Sequence, residues 1–159
     1  MEFIIRDIKK SEYCLLNDFL YEAIFVAEGM SLPSRDIIKQ PELKIYTENF
    51  GQKKDDKALV AVFEGKIVGA IWARIMSDYG HIDNETPSLA MSLYKEYRGQ
   101  GIGTKLLGEF LELLEQSGYK QVSLSVQKAN YAVRIYKKAD FQIFEENDEE
   151  YIMRRVLRH

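Results

Sequence analysis

Three glycines at alternate positions, Gly99, Gly101 and Gly103, follow an apolar run, Ser88-Leu89-Ala90-Met91-Ser92-Leu93. Immediately after them Leu106, Leu107, Phe110, Leu111, Leu113 and Leu114 recur at helical spacing. A strand that feeds a glycine-rich turn and then a helix N-terminus is physically an anion site. The first amides of a helix have no partner within it, and the helix dipole favours negative charge there. Glycine permits positive φ and lets a phosphate approach bare backbone. The pattern predicts a ligand that carries a pyrophosphate. Two nucleotide motifs fail on spacing. A dinucleotide fingerprint wants G-x-G-x-x-G with an acid about 20 residues on, whereas the third glycine here falls one place early and Lys120-Gln121 offers no acid. A P-loop needs Gly-Lys-Ser/Thr, and this chain reads Gly103-Thr104-Lys105.

The 159 residues fit one domain, 1–159, with enough chain to bury a core. A formal charge of −3 argues against a nucleic-acid partner. One cysteine, Cys14, excludes an internal disulfide, and with only His81 and His159 neither a zinc cluster nor a histidine triad is expected. No apolar run is long enough to span a membrane and no signal peptide is seen, so the expectation is a soluble, cytoplasmic chain without metal.

In chain order, residues 2–8 read as a first strand and 11–28 as a helix, with Ser11 as its cap and Gly29 as its stop. Arg35–Gln40 is a second helical stretch, interrupted by Pro41. Ala58–Phe63 and Lys66–Ile75 form a hairpin on Glu64-Gly65, and Trp72 reads as a core aromatic. A loop, 77–87, leads into the central strand. After the glycine turn and its helix, Ser117-Gly118 ends the helix and Gln121–Gln127 alternates as a strand. Asn130 caps a helix over Tyr131–Ala139. Phe141–Phe144 and Tyr151–Leu157 are the last strands, around an acidic turn. The order β-α-α-β-β-β-α-β-α-β-β predicts a mixed sheet with helices on both faces.

The run Arg98-Gly99-Gln100-Gly101-Ile102-Gly103 resembles the Arg/Gln-x-x-Gly-x-Gly/Ala signature of the GNAT superfamily of N-acetyltransferases. Asn130-Tyr131-Ala132-Val133-Arg134-Ile135-Tyr136, continuing to Asp140-Phe141, is similar to that family's Asn-x-Ala-x-x-x-Tyr-x-x-x-Gly-Phe segment. Asp140 replaces a usual glycine at a left-handed position that Asp tolerates. Ser88 stands where related sequences often carry Glu, so a base at that point is missing.

The resemblance implies an α/β (α+β) fold: a mixed, mostly antiparallel sheet whose central strand is bulged and splayed from its neighbour. It implies transfer of an acetyl group from acetyl-coenzyme A to a primary amine, without a metal. The pyrophosphate would sit on the amides of Arg98, Gly99, Gln100, Gly101, Ile102, Gly103 and Thr104. The pantetheine arm would lie along Leu93, Tyr94 and Lys95, with Asn130 as a further contact. The Leu93 amide would polarise the thioester carbonyl and Tyr136 would protonate the leaving thiolate. Apart from the resemblance, Tyr136 reads as a core tyrosine. The base is open among Glu22, Glu28, Asp83 and Glu85, with Tyr79, His81 and water relay as further options. The acceptor is expected to be a small molecule, the alternatives being a protein or peptide amine, or a non-catalytic coenzyme A sensor. No nucleic-acid or membrane partner is expected, and a homodimer is compatible with the family.

Overall fold

The computed structural model describes residues 2–157, so His159 lies outside the described residues. Seven strands form one sheet in the order β1-β2-β3-β4-β5-β7-β6. They are β1 (Ile4–Asp7), β2 (Lys57–Phe63), β3 (Lys66–Arg74), β4 (Ser88–Leu93), β5 (Gln121–Gln127), β6 (Gln142–Glu146) and β7 (Glu150–Val156). Every pairing is antiparallel except β4 with β5. The β2–β3 hairpin turns on Glu64 (φ 50°) and Gly65 (φ 79°), the two consecutive positive angles that suit strand twist.

Alternation sends each strand's side chains to two separate cores. Leu124, Val126, Leu89 and Met153 face α3 (Ile102–Gln116) and α4 (Ala132–Lys138), meeting Leu106, Leu107 and Phe110. Trp72, Val60 and Ala70 face α1 (Leu16–Ala23) and the short α2 (Pro41–Lys44), meeting Leu16 and Phe19. Trp72 is fully buried and donates its indole N–H to the Tyr46 carbonyl at 3.0 Å. Helices thus cover both faces. Among the described residues no helix is long and apolar enough to cross a membrane.

Three local expectations are corrected. The first helix does not run from 11 to 28: Lys10–Leu15 is a 3₁₀ turn, and α1 stops at Ala23 because Ile24 turns extended (ψ 120°). The branched and aromatic run Ile24-Phe25-Val26 has low helix preference. Gly29 (φ 84°) instead serves a later turn, where Met30 N–H meets the Ala27 carbonyl at 3.0 Å. Ser11 is not the cap. The Glu12 carboxylate accepts from Lys9 N–H at 2.8 Å while held by Arg6. The central strand carries no bulge, since β4 pairs with β3 in one register from Ser88–Arg74 to Leu93–Gly69. The irregularity lies between β2 and β3, at Ala61/Val62.

Candidate active site

The splay arises at β4–β5 without a bulge. One bridge, Ser88 opposite Ser123, joins the two strands, with Ser123 N–H on the Pro87 carbonyl at 3.0 Å. Beyond it they diverge. Tyr94 N–H points at β3, donating to the Val68 carbonyl at 3.0 Å. Because main-chain groups alternate along a strand, Met91 and Leu93 point their N–H groups the other way, into the gap. Leu93 was readable from the motif; Met91 was missed, although it shares Leu93's parity.

At the open end of the gap the chain makes the glycine turn. Gly99 (φ 75°) and Gly101 (φ 85°) take left-handed angles that L side chains resist, and a Cβ at either would meet open space. Among the described residues no amide from Gly99 to Thr104 donates to the main chain, and the first bond of α3 is Lys105 N–H to the Gly101 carbonyl at 3.2 Å. Its first turn carries no acid. A Cβ at Gly103 would meet Leu93 Cδ1 on β4 at 3.8 Å, an ordinary van der Waals contact. Of these residues Gly99, Gly101, Gly103 and Thr104 line a cleft of about 1350 Å³ that runs from the turn to Tyr136.

Leu93, Lys95, Arg98, Gly99, Gly101, Gly103, Thr104, Asn130 and Tyr136 border this cleft. Tyr94, Gln100 and Ile102 do not. The Tyr94 ring packs at a 41° tilt against Phe19, ring centres 4.8 Å apart, the Gln100 amide donates to the Glu96 carbonyl at 3.1 Å, and Ile102 is buried in the core. Asn130 Oδ1 accepts from Ala132 N–H at 2.9 Å and so starts α4. Asp140 takes φ 69° at the end of that helix. Tyr136 lies against Phe141, ring centres 5.6 Å apart, and burial pushes its phenol above the ordinary range.

The acids separate. Glu22 and Glu28 border the cleft, Glu22 at the end of α1 and Glu28 on the apolar segment 24–33 that forms one wall. Asp83 is not brought to the cleft. It lies in the loop before β4, its carboxylate accepting Glu85 N–H at 2.9 Å, a bond that lowers its pKa. Tyr79 is exposed and His81 Nδ1 sits 2.8 Å from the Met76 carbonyl. Sequence reasoning also missed Asp78. Its carboxylate accepts from Ser88 Oγ at 2.8 Å, beside the single β4–β5 bridge, where the motif comparison finds no acid. The partner at Tyr46 is too distant in sequence to have signalled it.

Among the described residues no group of three or more His, Cys, Asp or Glu side chains is placed to hold a metal ion. The cleft fits coenzyme A instead. Free amides suit a diphosphate, the lining Lys95, Arg134 and Lys138 supply positive charge, and a gap one strand wide continues inward. Fold and site together define an acyltransferase of the kind that draws its acyl group from a coenzyme A thioester. The chain belongs to the acetyltransferase (GNAT) family, whose model matches residues 21–141.

Three solved structures illustrate the shared fold. The GNAT-family acetyltransferase of Streptococcus pneumoniae is 23% identical, with a TM-score of 0.70 over 99% of this chain and 100% of that one. The PaiA N-acetyltransferase of Thermoplasma acidophilum, in complex with coenzyme A, is 20% identical, with a TM-score of 0.71 over 98% and 99% of the two chains. Salmonella typhimurium yncA, with its cofactor acetyl-CoA, is 16% identical, with a TM-score of 0.72 over 100% and 96%. No curated protein sequence matches the chain.

Proposed function

We propose that this chain, acting as a single domain, moves the acetyl group of acetyl-coenzyme A directly to the primary amine of a small molecule. The observation that carries the reading is the run of unpaired amides from Gly99 to Thr104 at the open end of the β4–β5 splay. The turn holds the diphosphate, and the pantetheine arm extends along Leu93 and Lys95. Met91 and Leu93 present N–H groups where the thioester carbonyl gains charge, a kind of donor worth roughly 10²–10³ in rate in well-studied hydrolases. Tyr136, kept protonated by burial, gives its proton to the departing thiolate. Glu22 and Glu28 on the cleft wall favour a cationic acceptor. The free, exposed Cys14 is compatible with the reducing cytoplasm.

The test is thiol release from acetyl-coenzyme A with a panel of polyamines, amino acids, aminoglycosides and peptides. Turnover with a small amine supports the reading. Turnover with peptides alone moves the acceptor to a protein, and coenzyme binding without any transfer marks a sensor.

A further inference from the structure

Side chains of opposite parity on β4 border the same cleft. Leu89 and Leu93 belong to the α3 core, as does Tyr136, whereas Ala90 and Tyr94 pack on the α1 side. Ser92 Oγ also points there, donating to the Phe19 carbonyl at 2.6 Å. Ser92 and Leu93 both line the cleft, so it passes through the splay from one face of the sheet to the other. With Tyr136 and α3 on one face, a thioester held between the strands is open to attack from the α1 face. The wall on that face is the segment 24–33 that follows α1. Ile24, Phe25 and Val26 are half-buried yet belong to neither hydrophobic core, and Met30 and Leu32 are 69% and 74% exposed. All of these side chains line the cleft. A contiguous apolar surface left open beside a cavity marks a place where a ligand is to be seated. The segment is not a frayed end. Tyr21 Oη donates to the Pro33 carbonyl at 2.5 Å, and Arg35 pairs with Asp18 while lying over the Tyr21 ring. Both ends of the wall are therefore anchored on α1. Charge on this wall is sparse. The Glu22 side chain is 25% exposed and paired with Arg98 at 3.5 Å, whereas Glu28 is exposed and has no ion pair among the described residues. The other acids of the cleft, Glu112, Glu115 and Asp140, lie on α3 and at the end of α4, on the opposite face.

Resting on the amine-acetylation reading above, we propose that the acceptor is a monoamine with an apolar body, an alkyl or aryl-alkyl chain laid against Ile24, Phe25, Val26, Met30 and Leu32. One uncommitted carboxylate, Glu28, matches one ammonium, and the rest of the wall matches hydrocarbon. A polyamine is a poor acceptor for the same reason. Its second ammonium would leave water for an apolar wall with no unpaired carboxylate to meet it. The monoamine carries its single charge on the nitrogen that reacts, so the part that contacts the wall has no charge to desolvate.

The test is the dependence of kcat/KM on chain length from n-propylamine to n-hexylamine, a series in which basicity hardly changes and only the hydrocarbon grows. The value should rise about two- to fourfold per methylene as apolar area leaves water. With 1,6-diaminohexane it should fall at least about tenfold below n-hexylamine, since a second charge must be desolvated. The double variant Met30→Ser, Leu32→Ser alters two exposed positions and so should keep the fold. It should cut the increment to below about 1.5-fold per methylene, with affinity for acetyl-coenzyme A, read by calorimetry, unchanged. A flat series, a diamine that matches n-hexylamine, or an unaltered increment in the double variant would overturn the apolar acceptor and leave amine acetylation standing. A dimer in sedimentation that the double variant breaks would overturn it too, by giving the wall to a second copy of the chain. If the wild-type protein binds acetyl-coenzyme A and acetylates none of these amines, the amine-acetylation reading itself falls, and this inference with it.

Discussion

Nε of Arg98 donates to the Leu93 carbonyl at 3.0 Å, so the residue that opens the glycine turn is bonded back to the last residue of the central strand. That bond occupies the carbonyl that Leu93 aims at the gap and leaves the N–H of the same residue available. The same guanidinium reaches the Glu22 carbonyl at 3.2 Å and its carboxylate at 3.5 Å. It thereby satisfies a carbonyl at the end of α1, where an α-helix leaves its last acceptors unpaired. One side chain thus joins the glycine turn, the splayed strand and the helix that begins one wall of the cleft.

Arg98→Ala should weaken acetyl-coenzyme A binding by roughly tenfold and cost about 1 kcal/mol of stability, because three acceptors lose a shared donor. Arg98→Lys should recover less than half of the lost affinity, since an ammonium cannot reproduce a planar fork. Calorimetry and thermal melts measure both. Full rescue by lysine would show that charge, and not geometry, is what the position supplies.

Gly101 separates conformation from charge. Gly101→Ala should cost about 1–2 kcal/mol from the left-handed angle alone, since its Cβ meets nothing within 4 Å. Gly101→Glu should add the loss of measurable coenzyme binding, as a carboxylate would face the diphosphate. Equal coenzyme affinity in the two variants would place the diphosphate elsewhere.

Tyr136→Phe should slow turnover by roughly 10²-fold with coenzyme affinity nearly intact. The folded phenol titrates above its ordinary value of 10.0, so it remains a proton donor at every pH below that. The wild-type rate should accordingly show no alkaline fall owed to Tyr136 under pH 10.0. A fall there that the Phe variant abolishes would contradict the assignment.

Glu12 supplies a test of stability away from the cleft. Arg6 and the Lys9 amide hold its carboxyl at about 2 in the fold, against 4.5 ordinarily. A depressed carboxyl stabilises fully above its unfolded value, so the contribution is intact above pH 4.5 and fades as pH falls toward 2. Glu12→Gln should lower stability by about 1 kcal/mol at neutral pH and converge on the wild type in acid. Parallel wild-type and variant profiles down to that range would refute the pairing.

The order of elements along the chain, the hairpin and both motif helices were legible because each is written locally: period-2 alternation, Glu64-Gly65, the apolar stripe of α3 and the left-handed Asp140. The end of α1 was not. An apolar run from Leu20 to Ala27 suits a helix face, but Arg98, distant in sequence, is what engages the carbonyl at Glu22. The splay was expected through a bulge, yet it follows from the paucity of β4–β5 pairing, a tertiary property. Asp78 went unremarked beside Asp83 because nothing local distinguishes two aspartates five residues apart. Burial against Tyr46 and Ser88 does.

The most direct measurement is a crystal structure of this chain with acetyl-coenzyme A. The diphosphate should lie on the amides from Gly99 to Thr104, with the thioester oxygen within hydrogen-bond reach of Met91 or Leu93 N–H between β4 and β5. A diphosphate bound away from that turn, or β4 and β5 zipped together past Ser88 and Ser123 with the coenzyme in place, would contradict it.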